Sequence, residues 1–246
     1  LPPGAFIPSA ERYHLMGRVD RWVLQHGTSW LRSLLAQGEA PSVAINLSGQ
    51  SVGDTNFHRW AIDALTSAGS AICERLILEV TETAAITNLA AAASFMRQAR
   101  MLGVRVALDD FGSGTASFGY LKELPLDYLK IDGQFVRDVL TDTLDAATIR
   151  CFVEVARVVG LTTVAEFVES EAILQHLIGL GVDLAQGFHL HRPGPLPSVW
   201  PQAMSLVDAA GPHAAPPRKA IAPAPVPPPA QPPVAHCPCR PTLRPP

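Results

Sequence analysis

Cysteine is scarce in this chain, with four residues in all, and their placement offers no disulfide framework, so a reducing compartment is favoured. Cys73 and Cys151 fall in apolar periodic segments and read as small core residues. Cys237 and Cys239 lie in a proline-rich stretch, and with His236 they supply too few ligands for zinc. No apolar run approaches the ~20 residues a membrane helix needs, and no secretory leader is visible. A cytoplasmic location is therefore expected. Leu1, not Met, opens the chain, which reads as a piece of a longer protein whose membrane or sensory parts lie elsewhere. Aromatic residues make up only 7%, so the core is expected to rest on Ala, Val, Leu and Ile. A basic excess is also missing: the formal net charge of −3 argues against a grip on a nucleic acid polymer. It leaves room for a small anionic ligand, because bound cations can supply positive charge.

What is present is a cadence. Residues 1–15, with Pro2, Pro3, Gly4 and Pro8, read as a loop leading into a helix over about 20–37. Short apolar runs then end in polar residues: Val43 to Asn46, Leu76 to Glu79, Val104 to Asp109, Tyr128 to Lys130, Thr163 to Glu166 and Asp183 to Gln186. Helical patterns near 54–68, 88–101, 144–159 and 170–179 separate them. Gly103, Gly160 and Gly181 each fall just past a helical pattern, where the chain commonly needs positive φ. The alternation predicts an α/β fold with a parallel sheet, either a (β/α) barrel or an open doubly wound sheet. Polar residues at six strand ends look like one convergent site, which favours the barrel, although a closed barrel takes eight strands. Residues 1–208 are expected to form this domain. Residues 209–246, rich in Pro and Ala, are expected to be a disordered, partly polyproline tail.

The strand ends suggest the chemistry. Glu79, Asp109, Asp110 and Glu166 would repel one another in a dry pocket. Divalent cations remove that repulsion, and hard oxygen ligands suit Mg²⁺ or Mn²⁺. The adjacent Asp109 and Asp110 allow one carboxylate to bridge two ions, the usual device for attack on a phosphodiester. Asn46 adds a neutral oxygen. Lys130 either orients an attacking water and stabilises developing charge, or pairs with a neighbouring carboxylate; both readings stay open. Gln186 either touches ligand or hydrogen-bonds nearby backbone. Gly112, Ser113 and Gly114 follow the double Asp and read as a mobile active-site loop. Glu82 and Glu169 are candidates for bracing loops, with solvated surface Glu as the alternative. His189 and His191 alternate along a strand beyond Gln186 and read as rim or core residues. An unrelated metal-dependent barrel enzyme, of aldolase or enolase type, fits the same physics.

Six motifs in order narrow this choice. Asn46-Leu47-Ser48, Leu78-Glu79-Val80-Thr81-Glu82, Asp109-Asp110-Phe111-Gly112-Ser113-Gly114, Leu129-Lys130-Ile131-Asp132, Ala165-Glu166-Phe167-Val168-Glu169 and Gln186-Gly187-Phe188 resemble the ordered motifs of EAL domains. The resemblance runs from about Pro3 to Pro195. It implies a TIM-like barrel that hydrolyses cyclic di-GMP to linear pGpG with two Mg²⁺ or Mn²⁺ ions. Asn46, Glu79, Asp109, Asp110 and Glu166 would be metal ligands, and Lys130, Glu166 and Glu82 the catalytic set. Gln186, Asp132 and Phe188 would bind ligand. Upstream sensor or cyclase domains would belong to the parent protein. The Glu-Ala-Leu motif lies upstream of the matched stretch, so a barrel lacking its first two strands is expected. Such a barrel leaves unpaired edges that another copy could complete, as in a homodimer. This chain by itself is expected to be inactive. Phe167 stands where the family usually has Gly, and Thr115-Ala116 replaces a usual Tyr-Ser. These departures keep open a second role, a degenerate domain that binds cyclic di-GMP or a protein partner without hydrolysis.

Overall fold

The computed structural model describes residues 3–38, 41–114 and 118–194; the expected boundary at 208 and the proline-rich tail lie outside them. Two helices open the chain, α1 (Pro3–Arg12) and α2 (Met16–Ala36). β1 (Val43–Leu47) follows, then α3 (Gly49–Val52), α4 (Thr55–Ala68), α5 (Ser70–Cys73) and β2 (Leu76–Thr81). Next come α6 (Glu82–Thr87), α7 (Leu89–Met101), β3 (Arg105–Phe111), a 3₁₀ turn (Phe118–Lys122) and β4 (Tyr128–Ile131). α8 (Gly133–Val136), α9 (Thr143–Val159), β5 (Thr162–Ala165), α10 (Glu171–Leu180) and β6 (Leu184–Ala185) complete the order.

Among the described residues, six strands form one parallel sheet and pair in chain order, β1 to β6. That order decides between the two expected architectures. A doubly wound sheet reverses direction at a switch point. A sheet that adds each strand beside the last, with right-handed crossovers, keeps its helices on one face, as a (β/α) barrel does. The helix-facing positions form the core: Leu76, Leu78 and Val80 of β2, Val106 and Leu108 of β3, and Leu129 and Ile131 of β4 are almost fully buried. The alternate positions face the inner side. Glycine ends three helical segments as expected, with φ of 104° at Gly103, 69° at Gly160 and 88° at Gly181.

Three local readings need correction. The first twelve residues are not all loop. Pro3 sits at the first helical position, where a missing N–H costs nothing, and Ala10 is buried, its carbonyl accepting from Leu15 N at 2.8 Å. Cys151 is exposed, because the buried stripe of α9 runs through Ile149, Phe152, Val153 and Ala156. His189 and His191 lie beyond β6, which stops at Ala185, so they do not alternate on a strand. His189 instead meets Glu171 at 2.9 Å. Among the described residues, no helix is long and apolar enough to cross a membrane.

Candidate active site

The carboxyl ends of β2 to β5 bring four ionisable side chains together. Lys130 Nζ lies 2.8 Å from Asp109 Oδ1, 2.8 Å from Glu166 Oε1 and 3.1 Å from Glu79 Oε2. All four residues are buried, none more than 9% exposed. Parallel pairing explains the convergence: Asn46 sits beside Glu79, and Thr81 beside Asp109, so successive strand ends step round one rim. Three carboxylates against one ammonium leave a surplus of negative charge in a dry place. Burial pushes the Glu79 carboxyl above its ordinary range, with Asp109 adding to the effect and Lys130 and the Asn46 amide opposing it. Glu166 is raised by burial too, against the pull of Lys130. Burial disfavours the Lys130 charge, yet Glu79, Asp109 and Glu166 outweigh it and hold its pKa above the usual value.

Asp110 joins from the next position, and its φ of 53° places it in the left-handed region. Each such conformation costs an L residue about 1–2 kcal/mol, least for Asp and Asn. The turn swings its carboxylate to the same side as its neighbour, so that oxygens of Asp109, Asp110 and Glu166 lie within 4.8 Å of one another. Burial first, then Asp109 and Asp132, push the Asp110 carboxyl upward. Asp109 Oδ1 is buried, and the Lys130 ammonium at 2.8 Å is its charged contact. A cluster of hard carboxylate oxygens that carries more negative charge than one ammonium offsets fits a divalent cation, and it would suit Mg²⁺ or Mn²⁺ better than a soft metal.

The surrounding loops are tied to this rim. Glu82, buried at the start of α6, accepts hydrogen bonds from Gly112 N at 2.9 Å and from Tyr120 Oη at 2.5 Å. Gly112 has φ of 96°, and a side-chain carbon there would come within 2.7 Å of both Phe135 and Phe152. Ser113 folds back, its Oγ donating to Asp110 O at 2.7 Å. Gly114 lines a cavity with Glu82, Phe118 and Phe152, and Thr115-Ala116 lie outside the described residues. Asp132 caps α8, accepting from Gln134 N at 2.8 Å. On the β1 side, buried Asp20 of α2 accepts from Ser48 N and Oγ at 3.0 and 2.6 Å, fixing the turn after Asn46.

A cleft of about 120 Å³ opens beside the ring, lined by Glu166, Phe167, Glu169, Gln186, Gly187 and Phe188. Gln186 bonds through its backbone, donating to Ala165 O at 2.8 Å and accepting from Val168 N at 3.0 Å, while its side chain is exposed. Gly187 is pressed so closely on Val168 that an added carbon would lie 2.3 Å from its backbone N and O. Phe167 takes φ of 55°, and its ring carries the Arg137 guanidinium 4.5 Å from its centre. Of the sequence-selected residues, Glu79, Asp109, Asp110, Lys130 and Glu166 therefore meet, with Asn46 beside them. Gln186 and Phe188 border the adjoining cleft, and Glu82 and Asp132 serve the loops. Asp20, Tyr120 and Arg137 carry no local pattern that marks them, since their partners Ser48, Glu82 and Phe167 lie far along the chain.

Comparison with known proteins agrees with this arrangement. The EAL domain matches residues 1–193. A cyclic di-GMP phosphodiesterase, PdeB of Shewanella oneidensis, is 40% identical over 201 residues, covering 80% of this chain and 23% of its own length. The cyclic di-GMP phosphodiesterase PdeF of Escherichia coli is 35% identical over 196 residues, covering 80% and 26%. The chain thus spans about a quarter of the length of these curated relatives. Among solved structures, the PaMucR phosphodiesterase in complex with c-di-GMP superposes with a TM-score of 0.75 at 36% identity, over 81% of each chain. On the match to residues 1–193 and the 36% identity to PaMucR over most of both chains, the protein belongs to the EAL domain family.

Proposed function

We propose that this chain is the phosphodiesterase unit of a longer cytoplasmic signalling protein, opening cyclic di-GMP to linear pGpG. The observation that carries the reading is the ring itself: Glu79, Asp109 and Glu166 around Lys130, with Asp110 in reach. Asn46, Glu79, Asp109, Asp110 and Glu166 would hold two Mg²⁺ or Mn²⁺ ions, whose chemistry is to lower the pKa of water and neutralise phosphate charge. Lys130 holds the carboxylates in place and presents an ammonium where negative charge develops on phosphate. Glu166 shares that ammonium and faces the cleft, so it is placed to accept a proton from water. Glu82 acts by anchoring Gly112, which fixes the turn that aims Asp110. Gln186 and Phe188, at the cleft, and Asp132, at the head of α8, border the space for the dinucleotide. Sensor or cyclase domains elsewhere in the protein would regulate it, and two copies would associate through the barrel.

A second reading is favoured by one observation. Phe167 projects a large ring into the cleft beside Glu166, which suits a receptor that holds cyclic di-GMP without turnover. The test is incubation of the longer protein, with its upstream segment restored, with cyclic di-GMP and Mg²⁺ or Mn²⁺, and chromatographic detection of product. Linear pGpG that disappears in Asp109→Ala supports the enzyme. Binding without product selects the receptor. Neither binding nor product refutes both.

A further inference from the structure

Phe167 is the feature of this site least explained by a metal-dependent hydrolysis. A bulky residue at φ of 55° sits where the backbone favours glycine, and such outliers persist when surrounding structure holds them. The holding elements are visible. The ring lies against the backbone of Gly133, where an added carbon would come within 2.1 Å of Phe167 Cδ2. Arg137, one turn further along, sets its guanidinium 4.5 Å from the ring centre. An aromatic ring so fixed has already lost its freedom, so little more is lost when a ligand packs on it. Yet it is not buried: 45% of Phe167 remains exposed, and it lines the cleft that also contains Glu166. Phe188 lines the same cleft, is 50% exposed, and carries the Arg192 guanidinium at 4.9 Å. Two half-exposed aromatic rings, each backed by a cation, border one small cleft next to an anion-handling centre.

We infer that Phe167 is a specificity-determining residue, forming with Phe188 the walls that take one purine base of the dinucleotide, while Arg137 positions its ring. This rests on the proposed function and adds a base-selecting subsite to it. The chemistry is stacking: an aromatic face accepts a flat heterocycle, and the larger purine gains more than a pyrimidine. Arg137 is a positioning residue, because it acts through Phe167.

The test measures binding of cyclic di-GMP and of its pyrimidine analogue cyclic di-UMP by calorimetry, in Ca²⁺, a hard cation suited to oxygen ligands. The unaltered chain is compared with Phe167→Gly, Phe167→Leu and Phe167→Tyr, with melting temperatures recorded alongside. Loss of a stacking partner should weaken cyclic di-GMP binding about tenfold or more in the Gly and Leu variants. Cyclic di-UMP should change less, Tyr should retain affinity, and the Gly variant should melt no lower than the parent because its backbone strain is relieved. Leu and Tyr carry the comparison if the Gly variant fails to fold. Equal or tighter cyclic di-GMP binding by the Leu variant overturns the inference while leaving the proposed function intact. Failure of the unaltered chain to bind cyclic di-GMP overturns both.

Discussion

Lys130→Met removes, among the described residues, the cation that the carboxylate ring closes on, and keeps most of the side-chain volume. In the metal-free protein the ammonium touches Glu79, Asp109 and Glu166 within 3.1 Å, and its side chain is only 4% exposed. Solvent cannot take over its role. Breaking a buried ion pair by removing one partner typically costs about 3–5 kcal/mol, and here one ammonium serves three partners. For a domain of this size, each kcal/mol shifts the melting temperature by about 2–4 °C. The variant should therefore melt roughly 6–20 °C lower in EDTA at pH 8. Two dependences identify the cause. Without the ammonium, the Glu79 and Glu166 carboxyls rise further above their ordinary range, so the loss should shrink as pH falls and they take up protons. Mn²⁺ should replace the missing charge, and at ~100 times its Kd it contributes about 2.7 kcal/mol. Thermal and urea unfolding followed by circular dichroism, with and without Mn²⁺ at pH 5.5 and 8, measure all of this. A loss under about 1 kcal/mol in EDTA, well below the range for a broken buried pair, would refute the electrostatic account. So would a loss indifferent to both pH and Mn²⁺.

Three further expectations follow from the same geometry. In the unaltered chain, Glu79, Asp110 and Glu166 have raised folded pKa values. Their contribution to metal-free stability is fullest below the ordinary carboxylate pKa near ~4 and is lost as pH rises through the raised values. Mn²⁺ stabilisation should grow over the same window, since binding releases protons; a thermal shift independent of pH contradicts this. Gly112→Ala should cost about 2–4 kcal/mol, from positive φ and from collision with Phe135 and Phe152, and unchanged urea stability would contradict it. Tyr120→Phe takes a donor from buried Glu82 and should cost about 1–3 kcal/mol, checked the same way against the parent.

Much of this fold and site could be read from residue order. Strands announced themselves by short apolar runs, and each run's polar final residue lies at a carboxyl end because the parallel sheet puts all such ends on one rim. Gly103, Gly160 and Gly181 marked helix ends through a conformation other residues resist. The strands' order was not legible, because two architectures share one local pattern; pairing from β1 to β6 selected between them. Side-chain partners across long stretches were equally hidden. Tyr120 and Glu82 are 38 residues apart, and Asp20 and Ser48 are 28. Cys151 misled because Ile149, Phe152 and Val153 near it on α9 are apolar while its own side of the helix faces outward. Pro3 misled because proline marks a helix start as readily as a loop.

The central claim is that one rim of oxygens gathers divalent ions. Crystals grown with Mn²⁺ and measured for anomalous scattering address it directly. Two peaks are predicted, each in contact with Asp109 or Asp110 and sharing Glu79, Glu166 and Asn46 between them. Mn²⁺ bound elsewhere on the surface, with none at this rim, would contradict the account.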